Sequence, residues 1–393
     1  MTVVDRRGFL QAGCLGAFAL NLGGANPSPD AGELPVIKAH LGDPITYEQS
    51  FGDVWSTTWA DDGNLYSVSD DTRGFKNACD SNLAIHRITG EIPPDLEGTT
   101  INPMADYGPM MGKSPIDGGN WKGAGLTCVD GELYLGMCRN GGAYIRDTRG
   151  PNYWIQEAWD ASIVKSLDHG KTWSPAPAIG KAMFPGKNFC YPCFVEYGQN
   201  GNGHKDEFVY AVSEDGSWNN ACSMTMGRVP RDRIGRLDAR DWEFFHGFDS
   251  DLKPIWWPRH DTARAIFRAP GRTSMASIFH LSALDIYILP QWSRDYTRPE
   301  LQDVNLWLHS DPSSRDLRRK ATRFEFYQAR EPWGPWSKFH EQSMDPQGFY
   351  CPAIPSKFIS KDGRKFWLFT SGNPPDKKWY RLTMIPVTLQ VRA

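Results

Sequence analysis

The feature that most constrains this chain is a repeat. Five segments in which a short polar turn leads into an aromatic-centred run recur along it: DDGNLYSVSDD around Tyr66, VDGELYLGMCRN around Tyr134, KDEFVYAVSEDG around Tyr210, SALDIYILPQW around Tyr287 and KDGRKFWLFTSGN around Trp367. Successive centres lie 68, 76, 77 and 80 residues apart. Self-similarity at such a spacing marks an architecture in which each unit buries its apolar face against the next.

Each unit has another strand-like run just before its turn: VWSTTWA, KGAGLTCV, FCYPCFVEY, TSMASIFHL and YCPAIPSKFI. Further runs follow, such as NLAIHRI in the first unit, ASIVKSLDHGKTWS in the second, CSMTMGRV and DWEFF in the third, and VNLWLHS and GPWSKF in the fourth. Helical periodicity is scarce, with one short helix expected within residues 311–323. About four short antiparallel strands per unit call for radial sheets around an axis, whose edges are protected by closing the ring. The expected fold is all-β, a five-bladed β-propeller forming one domain over residues 26–393. VIKAHLG near the start and LTMIPVTLQV at the end are placed to share a blade and close it. Residues 91–122 and 227–272 are expected to be long loops between blades, where function usually sits.

Composition narrows the function. With 40% hydrophobic and 23% charged residues the chain can bury a core, and it has no apolar run long enough to span a membrane. A net charge of -3 with scattered Lys and Arg argues against a nucleic-acid partner. Sixteen Trp, 38 Gly and 29 Pro fit many turns and carbohydrate-facing surfaces. Residues 1–25 read as a twin-arginine export signal: Arg6-Arg7-Gly8-Phe9-Leu10, a weakly apolar stretch, and a small-residue end at Gly23-Gly24-Ala25. Cleavage near Ala25 would deliver a folded protein to the periplasm or beyond. The remaining cysteines, Cys79, Cys128, Cys138, Cys190, Cys193, Cys222 and Cys351, are odd in number, and their spacing assigns no pairing. Cys190-Tyr-Pro-Cys193 has redox or zinc spacing, but no second pair at finger spacing and no βαβ context accompany it, so a structural role is expected. No motif calls for a metal or cofactor, and a monomer is expected.

Antiparallel topology then sorts the polar residues. The start of a unit's first strand and the end of its second share one edge, and the turn between them lies at the other. Asp53, Asp70 and Asp71 therefore share one face of the ring, and Asp61 and Asp62 the opposite face. The same rule brings Asn120, Trp121, Arg139, Asn140, Asn188, Glu214, Asp215, Trp218, Gln291, Trp292, Gln347, Tyr350 and Asn373 to the first face. Paired carboxylates in such a mouth suit glycoside hydrolysis, in which one acid protonates the leaving oxygen and a second carboxylate activates water or attacks the sugar. Crowded like charges also drive their pKa values apart, giving an acid and a base at one pH. The candidate carboxylates are Asp53, Asp70 and Asp71. Arg73 and Arg139 would orient sugar hydroxyls, Trp121, Trp218 and Trp292 would stack on sugar faces, and Asn140, Asn188, Glu214, Gln347 and Tyr350 would complete the substrate lining.

Two resemblances add to this reading. The segment from Ser166 to Trp173, SLDHGKTW, resembles the Asp box of sialidase-like propellers, which implies a folding element between a blade's third and fourth strands and a structural Asp168. GDVWSTTWADDGNLY, from Gly52 to Tyr66, resembles the opening of a bacterial propeller family long filed as a domain of unknown function. Its characterised members are endo-acting arabinanases that cut mycobacterial D-arabinan, and EPWGPWS, from Glu331 to Ser337, is similar to that family's blade strand. The resemblance implies catalysis by two aspartates, Asp53 matching the first and Asp71 best matching the second, with Asp70 the alternative second carboxylate. The Ser-Asp-Asp-Thr-Arg ending here departs from the family's Gly-Asp ending. Two other functions stay open: a sialidase, which would need three arginines such as Arg73, Arg139 and Arg272 around a carboxylate but lacks an Arg-Ile-Pro lead-in, and a glycan-binding propeller without chemistry.

Overall fold

Alternating runs punctuated by Asp-Gly and Asn-rich turns become strands throughout. The computed structural model describes residues 33–392 except 148, 150–152, 178–179, 297, 299–320 and 373–379. The export signal, residues 311–320 of the expected short helix, VNLWLHS and Asn373 lie outside the described residues, while Thr322 and Arg323, expected at that helix's end, are in a strand. Strands β1 (Val36–Leu41) and β2 (Ile45–Thr46) come first, followed by β3 (Ser50–Trp59), β4 (Leu65–Phe75), β5 (Ser81–Thr89) and β6 (Glu97–Asn102). Next are β7 (Trp121–Val129), β8 (Glu132–Asp147) and β9 (Tyr153–Ser166), then β10 (Cys193–Glu196), β11 (Phe208–Glu214), β12 (Ala221–Pro230), β13 (Glu243–Phe248), β14 (Pro254–Trp257) and β15 (Ala265–Thr273). The chain continues through β16 (Ile278–Leu281), β17 (Ile286–Arg294), β18 (Thr322–Ala329), β19 (Ser337–Ser343), β20 (Tyr350–Ala353), β21 (Lys365–Ser371) and β22 (Leu382–Val391). Among the described residues only strands and short 3-10 turns occur.

Pairing is in sequence order and antiparallel within each group: β3-β4-β5-β6, β7-β8-β9, β10-β11-β12-β13-β14, β16-β17-β18-β19, and β20-β21-β22. A parallel pairing of β10 with β16 joins the third and fourth groups. The N-terminal β1 pairs antiparallel with β22, so the two chain ends do share a sheet. β3 contacts β7, β7 contacts β10, β17 contacts β20 and β20 contacts β3, a circuit that returns to its start.

Burial grades outward from that circuit. β4 is almost wholly buried, whereas β19 and β1 alternate with solvent, as expected of inner and outer strands. Successive sheets pack face to face. Tyr66, Leu83 and Ile85 meet Leu126, Leu133 and Val164, and Trp55, Leu65 and Phe75 meet Phe369, Leu382 and Met384. Each fully buried side chain of this size contributes roughly 1.5–3 kcal/mol.

The segment 227–272 differs from expectation. It carries β13, β14 and β15, and β15 returns to pair with β12. Trp242, Phe244 and Phe245 are buried there, so the segment has its own apolar payload and folds as sheet.

The repeat has a physical basis in its turns. Asp62 accepts from the Asn64 amide at 3.0 Å and the Tyr66 hydroxyl at 2.8 Å. Asp206 does the same for the Phe208 amide at 3.0 Å and the Tyr210 hydroxyl at 2.7 Å. In the turn after β9, Asp168 accepts from the Thr172 amide at 2.8 Å and hydroxyl at 2.7 Å, and Trp173 donates to the Gly170 carbonyl at 3.1 Å. Trp173 packs against the cluster between the first two sheets, so this turn acts in folding, away from Asp53. Cys190 and Cys193 are buried thiols, and the loop between them fastens the second sheet to the third: the Gly125 amide donates to the Pro192 carbonyl at 3.0 Å, and Tyr191 to the Gly123 carbonyl at 2.7 Å.

Candidate active site

The first hairpin is irregular at its mouth end. Asp53 pairs with Asp70, but the flanking pairs are Ser56 with Val68 and Phe51 with Gly74. β3 therefore carries one extra residue after Asp53, and β4 two extra residues after Asp70. The backbone outliers fall in the same places: Val54 (φ 73°), Trp55 (φ 51°) and Asp71 (φ 41°). Positive φ at a β-branched or bulky residue is strained, and bulges beside active sites re-aim side chains.

Packing holds the distortion in place. Trp55 is fully buried against Phe75 and His86, and its indole donates to the Gly52 carbonyl at 2.9 Å. Position 52 must be glycine, since a Cβ there would stand 2.5 Å from the Thr72 hydroxyl and 2.9 Å from that of Ser69. Those hydroxyls bond each other at 2.7 Å, Thr72 donates to the Phe51 carbonyl at 2.6 Å, and Ser69 bonds His86 at 2.7 Å. Burial pushes the His86 pKa down to about 3, so the ring beneath the bulge is neutral at ordinary pH.

Three carboxyls result, in three environments. Asp53 is 9% exposed and accepts from the Tyr350 hydroxyl at 3.0 Å. Asp70, 2% exposed, accepts from the Gly123 amide at 2.9 Å. A Cβ at position 123 would stand 2.8 Å from Val68 and 3.1 Å from the Asp70 carboxyl, so this glycine admits the aspartate. Burial holds the Asp70 carboxyl well above the usual carboxylate range, with Asp53 and Asp71 pushing the same way against Lys122 and the Gly123 amide. Asp71 is the most accessible, its side chain 17% exposed; it accepts from the Met111 amide at 3.2 Å and forms an ion pair with Lys122. Burial alone would lower the Lys122 pKa, but Asp71 and Asp70 outweigh it and keep the ammonium charged. A buried carboxyl with a raised pKa thus lies beside a charge-paired one in a low-dielectric mouth, an arrangement that suits proton transfer.

Other expected residues are distributed unevenly. Trp218, Trp292 and Tyr350 form a cluster beside Asp53, with ring centroids 5.0 Å apart for the two indoles and 5.5 Å for Trp292 and Tyr350. Trp292 and Trp121 are each only 1% exposed, so neither presents a face to a sugar, contrary to expectation; both anchor the core. Trp218 is half-buried and remains available as a platform. Arg139 is committed to Asp117 at 2.5 Å and lies over the Trp121 ring, while Trp121 also donates to Asp117 at 3.0 Å. Arg73 is exposed over Phe51, and Arg272 pairs with Glu325 at 3.1 Å and Glu341 at 3.5 Å. Among the described residues these three arginines have different partners and do not form the grip that a sialidase needs. Asn140 is buried, its side chain accepting from the Gly142 amide at 2.7 Å, and Asn188 donates to the Asp261 carbonyl. Gln347 is half-buried. Glu214 is fully buried, and burial holds its pKa well above the usual range. Gln291 is buried and accepts from the Ser274 amide at 2.8 Å, while Asp215 accepts from Ser223 at 2.9 Å.

Sequence reasoning missed Lys122 and Arg294. Lys122 is the second residue of β7, at the mouth end of the second unit's first strand, so the topological rule reaches it once charged residues next to Trp121 are counted. Arg294 ends β17 almost fully buried, its guanidinium 5.5 Å from the centre of the Tyr144 ring. Among the described residues no cluster of His, Cys, Asp and Glu has metal-binding geometry.

No protein-family model matches the sequence, and no curated protein matches it. Several solved structures are similar to it at low identity and low TM-score. The catalytic domain of a GH62 alpha-L-arabinofuranosidase from Coprinopsis cinerea is 11% identical with a TM-score of 0.42, covering 90% of this chain and 98% of that one. A GH43 beta-xylosidase/alpha-arabinofuranosidase from a compost metagenome is 14% identical with a TM-score of 0.45, again covering 90% and 98%. A xylan beta-1,4-xylosidase from Bacillus halodurans is 11% identical with a TM-score of 0.43, covering 87% of this chain and 54% of that one. Scores this low assign no chemistry, which has to come from the residues.

Proposed function

We propose that this protein is a glycoside hydrolase on a five-bladed propeller, with Asp53 as proton donor to the leaving oxygen and Asp71 as the carboxylate that acts at the anomeric centre or on water. The observation that carries this reading is the convergence of Asp53, Asp70 and Asp71 on one bulged hairpin end beside Trp218 and Tyr350. Accessibility separates the two candidates for the second role, since Asp71 is open to the mouth and Asp70 is sealed against Gly123. Tyr350 is placed to orient the Asp53 carboxyl, and Trp218 to receive a sugar face. The proposed substrate is a polysaccharide of furanose type, an arabinan of cell envelope or environment, met after export by the twin-arginine route. Five blades are favoured by five hairpin units and by the closed circuit of inner-strand contacts.

The test is release of reducing ends from D-arabinan and a panel of other furanosyl and pyranosyl polysaccharides. Turnover lost in Asp53→Asn and Asp71→Asn but kept in folded controls supports the assignment. Tight glycan binding with no release by the wild-type protein refutes it and leaves a binding propeller, while release of sialic acid refutes the site geometry.

A further inference from the structure

The hairpin of β8 and β9 is taller than its sheet. Its strands stay paired from Leu133–Ser166 to Asp147–Tyr153, whereas β7 reaches no further on the mouth side than Trp121, opposite Arg139. In the part that rises past β7, β9 bonds across to the loop between β11 and β12. The Ala158 amide donates to the Gly216 carbonyl at 3.1 Å, the Trp218 amide to the Gln156 carbonyl at 3.3 Å, and the Gln156 amide to the Asn219 side chain at 3.0 Å. On the other side of that loop the Met275 amide donates to the Trp218 carbonyl at 2.9 Å, and the Asn220 side chain donates to the Gly271 and Arg294 carbonyls at 2.7 and 2.9 Å. Main-chain bonds thus clamp Trp218 between β9 and the segment that leads into β16.

The Gln156 side chain adds a contact of another kind. Trp218 Nε1 donates to Gln156 Oε1, and Gln156 Nε2 donates to the Gly142 carbonyl of β8 at 2.9 Å. An indole can only donate, so the Gln156 oxygen must face it and the amide nitrogen must turn toward Gly142. Both ends of the amide are committed, and the indole has used its only polar atom. The ring so fixed stands next to Trp292 and Tyr350, with centroids 5.0 and 6.2 Å away, and Tyr350 donates to Asp53 at 3.0 Å. Trp218 is therefore one aromatic ring from the proposed proton donor, and it is partly open where Trp292 is closed.

We propose that Gln156 is the positioning residue of a sugar-stacking subsite beside Asp53: it holds the Trp218 indole at a fixed angle and takes up its only donor, so the indole binds a sugar ring by stacking alone. The sugar rests on the glycosidase reading above, whereas the fixed indole does not. A ring free to turn gives up that freedom when a ligand binds, and a ring fixed beforehand has already done so, which tightens binding for the same contact. With its N–H held by Gln156, the indole offers the ligand its π-face, against which the carbon-bound hydrogens of a sugar pack without a directional bond. Such a contact discriminates between sugars less steeply than one that bonds a particular hydroxyl. Gln156 acts through Trp218 and not on the sugar.

The main-chain bonds do not depend on the Gln156 side chain, so Gln156→Leu should fold with the loop in place, and two measurements on the full chain test the proposal. The first needs no substrate: the indole N–H of Trp218 is identified in the NMR spectrum by its absence in Trp218→Phe. Its exchange with solvent should speed up by about ten-fold or more in Gln156→Leu and stay near the wild-type rate in Gln156→Glu, which keeps the acceptor. The second is steady-state kinetics on D-arabinan or whichever polysaccharide of the panel above is cleaved. There Gln156→Leu should raise KM about ten-fold with kcat within about three-fold, and Gln156→Glu should keep the wild-type KM. Trp218→Phe, which retains a ring and lacks the donor, should raise KM less than Trp218→Ala, and adding Gln156→Leu to Trp218→Phe should change KM no further. Unchanged indole exchange in Gln156→Leu, a KM rise that persists in full in the Trp218→Phe background, or Trp218→Phe as impaired as Trp218→Ala would each overturn the proposal. If the wild-type protein cleaves no glycan of the panel but its Kd for one of them follows the same order across the variants, the hydrolase reading fails and the subsite stands; neither cleavage nor binding sinks both.

Discussion

The two ends of the first hairpin carry the same residue type and do opposite things. At the turn end, Asp61 and Asp62 face solvent; Asp62 caps its own turn, and Asp61 pairs with His169 of the neighbouring sheet at 2.8 Å. At the mouth end, Asp53, Asp70 and Asp71 are crowded behind a bulge, with one lysine among three carboxyls. Exposed caps stabilise locally. Burial and crowding make the protonation state of each group depend on its neighbours, which is a property a catalyst can use. Burial by itself is not enough. Near the turn end of β3, Glu196 is buried and accepts from Thr58 at 3.2 Å, and burial pushes its pKa up to about 8, yet no second carboxyl adjoins it in that pairing.

The largest effect should come from the mouth. Asp53→Asn keeps the shape and the hydrogen bond from Tyr350 but removes the proton, so turnover should fall by about 10²–10⁴-fold with Tm little changed. Activity within ten-fold of wild type would break the contrast between the two ends.

Glu196 gives the next effect, and its sign follows from linkage. Its folded-state pKa lies above the unfolded value near 4.5, so its contribution is full below that pH and is lost as pH rises towards about 8. Glu196→Gln retains an acceptor for Thr58 and does not titrate. The variant should be more stable than wild type at pH 8, by a few kcal/mol at roughly 1.4 kcal/mol per pKa unit, with the advantage shrinking towards pH 5 and activity retained. A pH-independent difference in urea unfolding would contradict it.

Smaller effects belong to the caps. Asp168→Ala removes two bonds from Thr172 and should cost about 1–2 kcal/mol in unfolding experiments, with kcat per folded molecule unchanged. Asp62→Ala should cost about 1 kcal/mol, also without effect on kcat. A selective loss of turnover in either would erase the distinction between turn end and mouth.

Much of the fold was legible because its causes are local. Period-2 alternation gives strands, and a turn aspartate four residues before a strand tyrosine is the hydrogen-bonded device that makes Tyr66 and Tyr210 recur. The shared sheet of the two chain ends could be read from two unpaired strand patterns. Trp121 and Trp292 were misread because an edge position places a residue at a face without saying which way its ring turns; core packing and the Asp117 bond turned them inward. The region 227–272 was misread because Trp242 and Phe244 find much of their burial against Phe184 and Phe189, more than fifty residues away in the chain.

The sequence by itself determined that Asp53, Asp70 and Asp71 share one end of a hairpin and that Asp61 and Asp62 take the other, since antiparallel pairing and strand length decide that. Only the tertiary structure decided which of them is sealed, which is open, and which carries a compensated charge. The bulges at Val54, Trp55 and Asp71 are held by packing on Phe75 and His86, and Lys122 arrives from a different sheet, 51 residues from Asp71. Side-chain direction at a bulge and charge compensation between sheets depend on contacts between residues far apart in the chain, and local pattern carries no record of them.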